Sequence, residues 1–80
     1  MPNVKRIGPY RFHFWSRENG EAPHVHVTRD DKEAKFWLDP LVELAGNWGF
    51  SDHELNRIRK LTIKHRTIFM EAWHDHFDEI

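Results

Sequence analysis

The chain contains no cysteine, so no disulfide can staple it and no thiolate can act as nucleophile or metal ligand. Small secreted domains depend on such staples, and their absence fits a cytoplasmic protein. No apolar run approaches the roughly 20 residues that a membrane span needs, so no membrane partner is expected. The opening stretch, MPNVKRIGPYRF, holds no apolar segment of the signal-peptide kind. Neither sign of charge dominates, since 12 Lys and Arg face 13 Asp and Glu for a net charge of −1. There is therefore no broad basic field to gather nucleic acid. Internal repeats, low-complexity segments and linkers are also missing. The 80 residues read as one domain spanning 1–80, and a chain of this size buries only about 60% of its unfolded surface.

What the chain has in quantity is indole and imidazole. Four tryptophans and seven histidines are more than so small a core can hide, which places some of them at a surface that binds something.

Hydrophobic periodicity and turn residues divide the chain into short pieces. Residues 4–7 alternate and end at Gly8-Pro9, a turn signal, and residues 10–15 alternate again with an aromatic side chain at nearly every position. The polar run 16–22, with Asn19-Gly20 inside it, is a loop. Pro23 opens the next strand, which covers His24 to Arg29, and Asp30-Asp31 turns the chain into a partner strand over 32–38. Residues 39–46 read two ways. Asp39 and Pro40 suit the start of one helical turn closed by Gly46, while the Val42/Leu44 alternation suits a fifth, edge strand, which is the reading adopted.

Ser51 and Glu54 form a capping box ahead of a long uninterrupted segment, so one helix is expected from about residue 52 to about residue 77. Ile58, Leu61, Thr62, His65, Ile68, Phe69, Ala72, Trp73 and His76 fall in one stripe at 100° per residue. His65 and His76 therefore read as core residues. The expected fold class is α+β: an antiparallel β-meander of four or five short strands packed on one long C-terminal α-helix.

A strand period of two sorts the sheet into faces. Phe12, Phe14, Val25, Val27, Ala34, Phe36 and Leu38 share the face that a helix must cover. Arg11, His13, Trp15, His24, His26, Thr28, Glu33, Lys35 and Trp37 share the other. A two-residue turn at Asp30-Asp31 sets His26 opposite Lys35 and His24 opposite Trp37.

Three uses of that second face follow from its residue types. His24 and His26, two positions apart on a strand, could hold a metal with His13 or a carboxylate as third ligand, although Lys35 would repel a cation. They could instead trade protons at neutral pH with Lys35 and Arg11 neutralising phosphate, as in a metal-independent ribonuclease, making His24, His26 and Lys35 the catalytic candidates. Or the face binds without chemistry through Arg11, His13, Trp15, His24, His26, Lys35 and Trp37, with the indoles as stacking or hot-spot anchors for RNA or protein. The bland alternative is that His and Trp merely finish a face buried in a homodimer. No cofactor is implied by any of these patterns.

Pro23-His24-Val25-His26-Val27, then Glu33-Ala34-Lys35-Phe36-Trp37-Leu38, then Gly49-Phe50-Ser51 with Glu54-Leu55, and finally Ala72-Trp73 with Phe77 resemble a family of short bacterial proteins known as domain of unknown function 4160. The resemblance covers nearly the whole chain in the same motif order. It implies a bacterial cytoplasmic protein with a cognate small protein encoded nearby, in gene pairs that look like toxin–antitoxin modules. It supplies no catalytic residues.

Overall fold

The computed structural model describes residues 3–15 and 20–77. Strands β1 (Asn3–Ile7), β2 (Tyr10–His13), β3 (His24–Arg29), β4 (Lys32–Trp37) and β5 (Glu43–Trp48) lie side by side in chain order, each antiparallel to its neighbour. Helices α1 (Asp52–Lys64) and α2 (Arg66–Phe77) follow. This is an α+β meander. The first part of the expected loop at 16–22, residues 16–19, lies outside the described residues.

Turn chemistry explains the meander. Gly8 takes φ 57° between Ile7 and its partner Tyr10, a left-handed conformation open to glycine without strain. Asp30 takes φ 55° in the two-residue turn that joins Arg29 to its partner Lys32, and Asp is among the few other residues that tolerate it. The fifth strand begins at Glu43, later than the 39–46 segment suggested. Pro40, which follows a cis peptide bond after Asp39, has no N–H to give to a ladder. The β4–β5 register shifts between Lys35, opposite Gly46, and Phe36, opposite Leu44, leaving Ala45 as the extra residue of a bulge.

All seven residues assigned to the helix-covered face are buried, at 1% exposure or less. Ile58, Phe69 and Trp73 complete that core from the helices. Phe69 stacks on Phe12 with ring centroids 5.0 Å apart, and Trp73 meets Phe14 edge-on at 5.3 Å.

The single long helix is corrected by the structure, which interrupts it at His65 with φ −106° and ψ 15°. No proline or glycine is involved. Thr62 Oγ1 donates back to the Ile58 carbonyl at 2.8 Å, a contact that bends helices, and Arg66 Nε donates to Leu38 O at 2.6 Å, tying the start of α2 to the end of β4. The stripe is corrected too: Ile68 is 46% exposed and His76 is exposed, so neither is a core residue, while His65 is half-buried.

The entry to α1 is built from β5. Asn47 Oδ1 accepts from Phe50 N–H at 3.0 Å while its Nδ2 donates to Phe50 O at 2.9 Å, presenting Ser51 as cap. Ser51 Oγ accepts from Glu54 N–H at 3.2 Å. The reciprocal half of the capping box is absent, because the Glu54 carboxylate turns to Tyr10 and Arg29 on the sheet. Replacing Ser51 with Ala is expected to cost about 1 kcal/mol, read as a shifted denaturant midpoint at constant m-value.

Candidate functional site

The predicted register holds. His26 faces Lys35 and His24 faces Trp37 across β3–β4, and His13 faces His26 across β2–β3. The outer face, the one turned away from the core, is thus one continuous surface. Its imidazoles are packed together: the His13 and His26 rings stack at 5.8 Å and His24 meets His26 edge-on at 5.2 Å. Trp15 lies edge-on to both His13 and His26, at 5.4 and 5.6 Å, and Trp37 lies edge-on to His24 at 5.4 Å.

The large side chains of this face bury their own centre. His13 and His24 have no exposed surface and His26 only 5%. His24 also touches Trp73 of α2 at 4.9 Å, so α2 closes that end of the sheet. His24 Nδ1 donates to the Ala22 carbonyl at 2.9 Å, which fixes its tautomer because a carbonyl can only accept. His26 Nδ1 pairs with Glu33 Oε2 at 3.0 Å. A phosphodiester has little access to these imidazoles from outside. What the face presents to solvent is Trp15, 41% exposed, part of Trp37, and Lys35, whose Nζ pairs with Glu21 at 2.7 Å and lies 4.6 Å from the Trp37 ring centre. Among the described residues no group of three or more His, Asp or Glu could hold a metal ion, and no helix is long and apolar enough to cross a membrane.

Arg11 stands apart from this cluster. It sits beyond His13 toward the hairpin-turn end of the sheet, in a row with Arg6 and Thr28. Arg6 was legible in principle, because the same two-residue logic applied to Gly8-Pro9 places it opposite Arg11.

The second surface was not singled out from the sequence. β5 is an edge strand, and it carries apolar side chains on both sides: Leu44 is 45% exposed and Trp48 59%. The Trp48 ring lies over Gly46, so closely that a Cβ there would sit 2.5 Å from its Cη2. Between β5 and α1 runs a cavity of about 480 Å³ lined by Phe36, Leu44, Leu55 and Arg59 among others. A neighbouring cavity of about 450 Å³ is lined by Pro40, Leu41, Val42, Arg59, Ile63 and Arg66. Arg59 belongs to both, so the two form one groove. Leu41 and Ile63 in it are 65% and 49% exposed.

Fold and surfaces together define a small α+β scaffold: an open five-stranded meander, covered on one side by a kinked helix, with β1 and β5 as its two edges among the described residues. The model of the family described as Domain of unknown function (DUF4160) matches residues 10–74, and the chain belongs to that family. No curated protein and no solved structure matches it.

Proposed function

We infer that the chain works by recognition, as a component of a paired small-protein module of the toxin–antitoxin kind, and that it holds its cognate protein along β5. The observation that carries this reading is the edge strand β5, unpaired on its outer side among the described residues, beside a continuous groove of apolar and charged side chains. An unpaired edge offers a row of backbone donors and acceptors to an added strand, and proteins ordinarily blunt such edges with charge. The opposite edge, β1, is blunted in that way by Lys5 and Arg6. β5 has only Glu43, at its start.

The occupant that fits is an extended segment of a partner protein, pairing with β5 and alternating apolar side chains into the groove. Arg59 makes no ion pair among the described residues and sits where the two cavities join, which calls for an acidic side chain on that segment. The resemblance to paired gene products supports a separate small protein as its source.

Co-purification from the native operon, with growth assays of each gene alone, tests the pairing. Leu44→Lys is expected to weaken the complex about tenfold or more, the scale of an interface hot spot, with the melting temperature unchanged because Leu44 is half exposed. Trp37→Ala is expected to matter less. The reverse order would move the docking surface to the outer face. A β5–β5 homodimer that forms without any partner and is lost in Leu44→Lys would replace the cognate protein with a second copy.

A further inference from the structure

We propose that the hairpin-turn end of the outer face is an oxyanion site, seating a phosphate group between Arg6 and Arg11 and independent of the β5 edge. Arg6 and Arg11 stand directly opposite each other in the β1–β2 ladder. Like charges at directly opposed positions destabilise a strand pair, and local rules of this kind are broken chiefly where a ligand restores the balance. Thr28 continues the same row on β3. These three residues, with Pro9, Arg29 and Asp30 from the two hairpin ends, line a concavity of about 230 Å³.

A second observation points the same way. Arg11 Nε is buried without a hydrogen-bond partner among the described residues, although buried donors are nearly always matched. An anion bridging Arg6 and Arg11 removes the repulsion and supplies the missing acceptor together. The planar guanidinium fork suits oxyanions bidentately, and the Thr28 hydroxyl adds an uncharged donor.

The wall also holds acid, and it is accounted for. Asp30 lies 3.9 Å from Arg29 Nε, and Glu54 takes both Arg29 and Lys32, so these two acids and two cations offset one another. Glu33, the next residue in the row, is bonded to His26. The surplus positive charge is therefore that of Arg6 and Arg11. Two cations facing each other are better balanced by phosphate, with more than one charge and several acceptor oxygens, than by a carboxylate. The phosphate arrives free, on a nucleotide, or within an RNA strand.

The test follows the arginine Nε–H signals by nitrogen-edited NMR while inorganic phosphate is added against sodium chloride of equal ionic strength. A nucleoside 5′-monophosphate and a short single-stranded RNA without terminal phosphate are then titrated in the same way. The Arg11 signal should move saturably with phosphate. Arg6→Gln and Arg11→Gln should each weaken binding about tenfold or more without lowering the melting temperature, and Arg59→Gln should leave it unchanged. Movement with RNA assigns the group to a nucleic-acid backbone, whereas movement with phosphate and nucleotide only assigns it to a small molecule. An Arg11 signal that ignores all three, or that moves equally with chloride, overturns the site. Failure to find a protein partner would leave this readout untouched.

Discussion

Phe69→Ala is expected to destabilise the chain by about 3–5 kcal/mol, the cost of emptying a large aromatic site in a core. Phe69 has no exposed surface and stacks on Phe12 at 5.0 Å. It lies in the first turn of α2, just past the interruption at His65, so it fixes the second helical segment where the helix itself is weakest. The Thr62 and Arg66 contacts set the bend, but neither fills the space under α2. Small domains hold only about 5–15 kcal/mol in total, so the variant should be largely unfolded at moderate denaturant. Phe69→Leu keeps most of the volume and should cost less. Denaturant titration of both decides the matter, and an unchanged midpoint in Phe69→Ala would show that α2 does not rest on the sheet through this ring.

The second large effect belongs to Tyr10, Arg29 and Glu54, which join the sheet to the first turn of α1. Tyr10 Oη donates to Glu54 Oε2 at 3.0 Å, Arg29 donates to the same oxygen, and Lys32 Nζ lies 3.8 Å from the other. Burial pushes the Glu54 carboxyl up, but these donors and cations outweigh it and hold it below its ordinary value of 4.5. A depressed carboxyl contributes stability above its unfolded value, and that stability is lost as pH falls through the folded one. Burial first, and then the bond to Glu54, push the Tyr10 phenol above its ordinary 10.0. Its contribution is whole below that value and is lost as pH rises through the raised one. Tyr10→Phe is therefore expected to cost about 1.5–3 kcal/mol at neutral pH, the scale of a hydrogen bond to a charged group. The cost should shrink once acid protonates Glu54. Chemical denaturation at neutral and acidic pH measures the difference, and an equal cost at both would remove Glu54 from the account.

The sheet was legible because each signal was local. Period two placed Phe12, Val25, Val27 and Phe36 on one face, and a two-residue turn at Asp30-Asp31 fixed His24 against Trp37 and His26 against Lys35. Alternation says which way a side chain points, not what lies over it. His13 and His24 therefore read as surface residues, whereas Trp15, Trp37 and Trp73 enclose them. The start of the helical segment was located correctly, but the kink at His65 depends on Thr62 reaching back to Ile58 and on Arg66 reaching Leu38, which a propensity reading cannot weigh. Ile68 and His76 fell on the apolar stripe of an ideal straight helix and left it when the real one bent. The β5 groove stayed hidden because Leu41, Leu44 and Ile63 look like ordinary core residues until their exposure is known.

The strand order also bears on how the chain acquires its shape. Because every strand pairs only with its neighbours in sequence, hairpins can close one after another, and the entropy cost of each closure grows only slowly with the length of its connection. A much longer closure is the return of the helices across the sheet, where Glu54 meets Tyr10, 44 positions earlier. A topology of mainly local pairings folds quickly for a β-rich protein. On a ribosome the meander can form before α1 and α2 emerge, and it then waits with its apolar face open until Phe69 and Trp73 arrive to cover it.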